Sequence, residues 1–245
     1  DVISTKLYNQ MKAGKKTSTS QINEELYTCL FTNLLQEGKH IIHLALSSGL
    51  SNTYNCALNA AEKLNKINAN KVYVIDSLCA CAGQGFLGVL IKEFSKNATT
   101  IEEVLDFTNS TKLKINHIFS VDNLKYLANG GRVKASTAFI GNILNIKPIL
   151  KCDTNGNLVP YSKVISRKKA LSAIVDKMKE NYDDTVKTCY LSHADCLLDA
   201  EYIKNQIQEK FNIQTVITNL GPVIGSHAGP GTIALFFVGK NLNRA

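Results

Sequence analysis

The sequence predicts an α/β protein with two domains, and two observations support this fold class. As far as about residue 113, short apolar runs typical of strands alternate with segments that repeat apolar residues at helical spacing. This alternation is typical of a parallel sheet with helices on both faces. Beyond that point a hairpin pattern and short strands are mixed with helices. We therefore expect an N-terminal α/β domain over residues 1–113 and a C-terminal α+β domain over residues 114–245.

The elements of the N-terminal domain follow from the spacing of its apolar residues. Two helical patterns, at residues 1–16 and 24–37, precede a nearly continuous apolar run at residues 40–46. Such a run is typical of a strand that is buried on both faces. The other predicted elements are a helix from residue 54, a strand at 71–75, a helix through Gly83, Gly85 and Gly88, and a helix capped by Thr100.

The C-terminal domain shows strand and helix patterns in a less regular order. Two short runs around the turn Asp153–Asn157 predict a hairpin, because Asn-Gly is a strong hairpin signal. The other predicted elements are strands at 116–121, 188–192, 215–218 and 233–238, and helices around Leu124 and Leu127, at 136–144, at 167–180 and at 197–210.

The stretch Gly221–Thr232 lies between the last two predicted strands and contains four glycines and two prolines. Glycine allows close approach of the backbone to a ligand, and proline restricts the freedom of a loop. We expect a stiff loop with His227 at its tip. The alternative is a tight turn that carries an incidental surface histidine.

Hydroxyl-rich segments also follow the first strand and precede the second helix. Ser47–Thr53 places hydroxyls and amide groups at a helix start, which suits an anion. The alternative there is simple helix capping by Ser51 or Asn52. The loop Thr17–Gln21 offers further hydroxyls, and it is equally compatible with a cap at Ser20.

The bulk composition excludes several classes of protein. The net charge is +8, but the lysines are scattered and lack interleaved aromatic residues, so we expect a solvated surface and no nucleic acid partner. Seven cysteines without a disulfide spacing, and no signal peptide, indicate the reducing cytoplasm. Cys79 and Cys81 lack further ligands for zinc, so no metal is expected. Local basic clusters at 167–169 and 130–134 could meet a phosphate or an acidic partner.

Several segments together resemble the DegV family of bacterial proteins. The similar segments, in the order and spacing of that family, are Thr19-Ser20-Gln21, Ser47 to Thr53, Asp76-Ser77, Leu124 to Arg132, Ile146 to Leu150 and Gly221 to Thr232. Three departures stand out. The family's first strand is missing, Ile22 replaces a usual proline, and Asn52 replaces a glycine.

The resemblance implies a protein that binds a long-chain fatty acid in an apolar tunnel between the two domains. It implies presentation of the carboxylate to a separate fatty acid kinase subunit, which forms an acyl phosphate, and a transient contact with a membrane. The chain itself would catalyse nothing and need no cofactor besides the bound fatty acid.

The same resemblance assigns roles to particular residues. Three groups are expected: carboxylate ligands, a contact to the kinase or the phosphate, and supporting residues. The expected carboxylate ligands are Thr19, Ser48, Ser51, Asn52, Thr53 and His227. Arg132 is expected to contact the kinase or the phosphate, and Asp76 and Ser77 are expected to support the site. Hydroxyls, amides and an imidazole are suitable partners for a carboxylate. Arg132 is also explained by simple capping of the preceding helix.

Two other functions remain open from the sequence. Ser51, Asp76 and His227 are the residue types of a serine hydrolase, although no G-x-S-x-G elbow is present. A DNA-binding regulator would account for the net charge of +8, but no helix-turn-helix pattern is visible.

Overall fold

The computed structural model describes residues 2–133, 146–242 and 244. The predicted helix at 136–144 lies outside these residues. The N-terminal elements are α1 (Val2–Lys12), α2 (Glu24–Leu35), β1 (Ile41–Ala45), α3 (Thr53–Asn65), β2 (Val72–Asp76), α4 (Cys81–Ser95) and α5 (Ile101–Thr111). The C-terminal elements are β3 (Ile115–Ser120), α6 (Lys125–Asn129), β4 (Ile146–Cys152), β5 (Leu158–Ile165), α7 (Arg167–Asn181), β6 (Thr188–His193), α8 (Leu197–Phe211), β7 (Gln214–Asn219), α9 (Pro222–Ala228) and β8 (Ile233–Val238).

Strands β1 and β2 form a small parallel sheet with helices on both faces. The side chain of His43 packs against Tyr27 and Phe31 of α2. The next residue, Leu44, packs with residues of α4 on the opposite face, as the alternation of strand side chains requires. The predicted arrangement of the N-terminal sheet is therefore confirmed.

The larger sheet has six strands in the order β5-β4-β3-β8-β6-β7. The β6–β7 pair is parallel, and the β4–β5, β3–β4, β3–β8 and β6–β8 pairs are antiparallel. All residues of β3 and β8 are buried, because one face packs on α7 and α8 and the other packs toward α1, α6 and α9. The mixed sheet matches the predicted α+β character. The boundary at residue 113 stays a prediction.

Helix α1 crosses from the N-terminal end of the chain to the C-terminal sheet. Tyr8 and Met11 are buried in the core of that sheet, and the Tyr8 hydroxyl donates to the carbonyl of Leu220. The loop after α1 therefore starts beside α9, a helix that lies about 200 residues later in the chain.

Two local predictions differ from the structure. The glycine-rich stretch after β7 was expected to be a loop, but it contains α9, which begins at Pro222 and ends before Gly229 at φ 83°. Proline at the first helical position and glycine after the last are typical helix boundaries. The cap of α2 is Asn23 rather than Ser20, since its side chain accepts from the amide of Leu26. Thr100 caps α5 as predicted.

Among the described residues, no helix is both long and apolar enough to cross a membrane. All seven cysteines are free thiols. Within the same part of the chain, no group of three or more acidic, histidine or cysteine side chains could hold a metal ion.

A buried histidine connects the two sheets. His117 on β3 accepts a hydrogen bond from the amide of Ala80 through Nε2, at 3.2 Å, so its proton lies on Nδ1 and is donated to the carbonyl of Ile115. Burial, together with the smaller effect of the positive charge of Arg244, lowers the pKa of His117 to about 3. Gly83 leaves room for the ring, because a Cβ there would lie 2.4 Å from Nε2.

We predict that His117 makes the protein sensitive to acid. Unfolded chains take up a proton near pH 6.5, whereas the folded imidazole stays neutral down to about pH 3. Stability is therefore fully present above pH 6.5 and is lost as the pH falls, by about 1.4 kcal/mol per pH unit across this window. Urea unfolding at pH 7 and pH 4.5 should show a smaller loss for His117→Gln than for the parent. Equal losses in both proteins would refute this assignment.

Candidate ligand-binding site

An apolar cavity of about 630 Å³ opens at the junction of the two sheets. Its walls come largely from β1, α4, β3 and β8, through side chains such as Leu44, Phe119 and Phe236. Volumes of roughly 300–1,000 Å³ are usual for small-molecule sites. The cavity is therefore large enough for a ligand, and its lining favours an apolar one.

One part of the cavity wall is polar, and its centre is a contact between Thr19 and His227. The Thr19 Oγ1 lies 2.7 Å from His227 Nε2. Nearby, the hydroxyl of Thr17 donates to the carbonyl of Ser226 and holds the same loop against α9. Gly130 packs against the other side of the ring, where a Cβ would lie 2.5 Å from Nδ1. The imidazole is thus fixed between two segments.

The imidazole of His227 is neutral near pH 7. Burial lowers its pKa below the ordinary value, and the positive charge of Arg132 lowers it further. A neutral ring has one nitrogen that donates and one that accepts, and the hydroxyl of Thr19 can satisfy either state of Nε2.

Ser51 and Thr53 line the cavity at the start of α3. Their hydroxyl oxygens are 2.7 Å apart, and the amide of Thr53 donates to Ser51 Oγ. The N-cap residue Asn52 makes no side-chain capping bond. The start of α3 carries the positive end of the helix dipole, which favours a negatively charged group nearby.

Arg132 connects the loop before α3 to the end of α6. Its Nε donates to the carbonyl of Leu50 at 3.3 Å, and its Nη1 donates to the carbonyl of Gly130 at the end of α6. It also lines the cavity. The arginine therefore caps the end of α6 and also lines the cavity, and its contact with a kinase or a phosphate stays a prediction.

The structure brings some of the predicted site residues together and separates others. Thr19, Ser51, Thr53, Arg132 and His227 line one cavity. Ser48 and Asn52 are exposed and stand outside its lining, in contrast to the sequence expectation. They were grouped with Ser51 because they are close in sequence, but the turn points their side chains elsewhere.

Asp76 and Ser77 shape the backbone beside the site. Asp76 Oδ1 accepts from the amides of Ser48 and Leu78, which ties the ends of β1 and β2 together. Ser77 is fully buried, and its hydroxyl accepts from the amide of Cys79. Both residues act on the loops and lie outside the cavity lining. Their supporting role for the ligand stays a prediction.

The arrangement gives no support to a serine hydrolase. Ser51 Oγ is hydrogen-bonded to Thr53, His227 Nε2 contacts Thr19, and Asp76 accepts from backbone amides. Within the described residues, these three side chains form no relay of the kind that activates a nucleophile.

Several residues of the cavity lining were not predicted from the sequence, and His43 is one of them. His43 lines the cavity, and its Nε2 is buried without a hydrogen-bond partner in the part of the chain that the structure describes. Burial lowers its pKa. The available signal was a single polar residue within the apolar run of β1, although such a residue is equally compatible with the core.

The two sheets, with a largely apolar cavity at their junction, define a mixed α/β protein with space for a ligand. Comparison with known proteins identifies its family. The chain belongs to the DegV family, described as uncharacterised proteins, whose pattern matches residues 1–240.

Three relatives illustrate this membership. A DegV domain-containing protein of Clostridium perfringens is 36% identical over 235 residues, which cover 95% of this chain and 81% of that protein. A fatty acid-binding protein of Thermotoga maritima is 34% identical over 227 residues, covering 91% and 77%. The crystal structure of DegV, a fatty acid binding protein from Bacillus subtilis, superposes with a TM-score of 0.81 at 30% identity, covering 96% and 83%.

Proposed function

We propose that this protein binds a long-chain fatty acid, with the acyl tail in the cavity and the carboxylate at its polar wall. The observation that carries this proposal is the Thr19–His227 pair, at 2.7 Å, in the wall of an otherwise largely apolar cavity. The relatives from Thermotoga maritima and Bacillus subtilis, both described as fatty acid-binding proteins, support the same ligand class.

The polar wall suits a carboxylate in both hydrogen bonding and charge. Thr19, Ser51 and Thr53 offer hydroxyl donors, and Arg132 offers a positive charge. Hydrogen bonds from such groups to an ionised acceptor are stronger than those between neutral groups. We assign the head group to these residues and His227, and we leave Ser48 and Asn52 out of the site.

The apolar walls supply most of the binding free energy. Each buried CH₂ group contributes roughly 0.8 kcal/mol. A long acyl chain therefore gains more from the cavity than its carboxylate gains from a few hydrogen bonds, which mainly fix the direction of the ligand.

We further propose that the bound carboxylate is presented to a separate fatty acid kinase subunit. A carboxylate oxygen would attack the terminal phosphorus of ATP, the bond to ADP would break, and an acyl phosphate would form. The chain supplies no chemistry in this scheme. Arg132 lies beside the head-group residues, where a positive charge stabilises a phosphate.

An exposed apolar stripe on α2 and in the segment before it suits a transient contact with a membrane. Leu26, Leu30 and Leu34 recur every fourth residue on one face of α2. Together with Ile22 in the segment before the helix, they are 36% to 61% exposed. Ile22 and the exposed Val223 also line the cavity, so this apolar stripe runs to the cavity opening. The exposed Lys15 and Lys16 in the neighbouring loop favour anionic lipids. We propose that this apolar stripe contacts the surface of a lipid bilayer.

The cytoplasm is the compartment that this function implies. All seven cysteines are free thiols, which is usual for a reducing compartment. A kinase that uses ATP would act in the same place.

We predict that Thr19→Val and Ser51→Ala weaken binding of a long-chain fatty acid by about tenfold each, because each removes one hydrogen bond to a charged group. Equilibrium titration and native mass spectrometry would measure this. Ser48→Ala is the matched control, since Ser48 is a serine of the same loop outside the cavity. If the parent protein took up no fatty acid, the proposed binding function would be wrong. An equal effect of all three substitutions would sink the head-group assignment.

We predict that Arg132→Ala slows acyl phosphate formation by about tenfold or more in the presence of a fatty acid kinase and ATP, since the phosphate loses a charged partner. Trapping the product with hydroxylamine would measure the rate. Fatty acid binding should fall less than this rate, and Arg132→Lys should restore part of it. Unchanged kinetics in Arg132→Ala would exclude a role for this residue in transfer.

We predict that Leu26→Gln combined with Leu30→Gln reduces binding to phosphatidylglycerol vesicles by about fivefold, because the apolar stripe loses buried area at the bilayer. Co-sedimentation would measure the bound fraction. Leu198→Gln is the control, since Leu198 is 86% exposed but lies on α8. Equal loss in both variants, or no vesicle binding by the parent, would argue against this surface.

A further inference from the structure

Arg244 is a buried arginine beyond the residues that match the family pattern, which end at 240. Its side chain reaches the junction of the two sheets, and only 4% of the residue is exposed. The guanidinium donates to the carbonyls of Leu78, Lys112 and Asp153. One side chain thus joins the loop after β2, the segment before β3 and the end of β4.

The same guanidinium lies between two cysteines. Its Nη1 is 3.2 Å from Cys152 Sγ, and its Nη2 is 3.2 Å from Cys79 Sγ. Burial raises the pKa of Cys79 to about 12 and that of Cys152 to about 11, against the opposing effect of the arginine. Both groups therefore stay protonated and shielded, which keeps them unreactive.

The loop that Arg244 holds is also a wall of the cavity. Ala80 and Cys81 line the cavity. Leu78 in the loop and Cys81 at the start of α4 adopt φ values of 52° and 56°. Such conformations are unfavourable for residues other than glycine and persist only where the surroundings hold them. Arg244 holds the carbonyl of Leu78, and His117 holds the amide of Ala80.

The segment that carries Arg244 is itself anchored to the C-terminal sheet. The amides of Lys240 and Asn241 donate to the backbone carbonyl and side-chain oxygen of Asn181, respectively. The ammonium of Lys151 donates to the carbonyl of Arg244. The C-terminal segment is therefore fixed on one side, and the guanidinium extends from it to the cavity loop.

We propose that Arg244 is a positioning residue for the ligand site, which holds the Leu78–Cys81 loop in the shape that closes the cavity wall. Without the guanidinium, three carbonyls lose a donor and the unfavourable conformations at Leu78 and Cys81 are no longer held. The loop would then relax, the bound ligand would escape faster, and Cys79 and Cys152 would become accessible. This inference depends on the proposed function only for the identity of the ligand.

The test compares Arg244→Met, which keeps much of the length without the charge, with Arg244→Lys. Two quantities are measured in the folded proteins: iodoacetamide labelling of each cysteine by mass spectrometry, and the rate of fatty acid release. Arg244→Met should raise labelling of Cys79 and Cys152 by at least about tenfold through local opening. Fatty acid release should accelerate to a similar extent, and Arg244→Lys should restore part of both.

Cys189 is the internal control, because it is equally buried in β6 but has no contact with Arg244. A general loss of stability would raise the labelling of Cys189 as well and would overturn the proposal. Unchanged labelling of Cys79 and Cys152, or faster labelling with unchanged ligand release, would also overturn it. If the parent bound no fatty acid, the proposed function would fail, and the labelling pattern alone would still decide whether Arg244 holds the loop.

Discussion

The polar wall of the cavity depends on the contact between Thr19 and His227, which lie 208 positions apart in the chain. Closing so long a separation costs conformational entropy, and one hydrogen bond cannot offset it. The burial of α1 supplies the difference, since Tyr8 and Met11 enter the core of the C-terminal sheet. Because α1 packs against α9, the short loop that follows α1 must also run past α9. The apolar packing of α1 thus places the hydroxyl of Thr19 beside the imidazole of His227.

Much of the fold was predictable because its signals are local. The apolar run of β1, the hairpin turn at Asp153–Asn157 and the cap at Thr100 each depend on a few neighbouring residues. The helix α9 was missed although its boundary signals, Pro222 and Gly229, are present. The density of glycine around His227 favoured a loop, and the packing of α9 against α1 and α6 is a tertiary effect that no local pattern carries.

The residue types of the candidate site were predictable from motifs, but their contacts were not. Ser48 and Ser51 stand three positions apart in one loop, and only the turn decides that Ser51 faces the cavity. Arg132 was expected to contact the kinase or the phosphate. Its hydrogen bonds to Leu50 and Gly130 are with backbone carbonyls, which the sequence does not distinguish from any others. The position of Arg244 depends on the docking of the C-terminal segment and has no sequence signal at all.

In the proposed complex, the charges at the polar wall favour a carboxylate over a neutral head group. Among the described cavity residues, Arg132 is the permanent cation, and its charge helps keep His227 neutral. A second positive charge beside apolar walls would be unfavourable, so the free site carries one charge rather than two. In the proposed complex a single carboxylate balances that charge. An ester or an alcohol would shield Arg132 from water without neutralising its positive charge. A charge that is buried without a partner of opposite sign is strongly unfavourable. Selection for an acid therefore follows from the arginine, while the hydroxyls of Thr19 and Ser51 determine where the acid group lies.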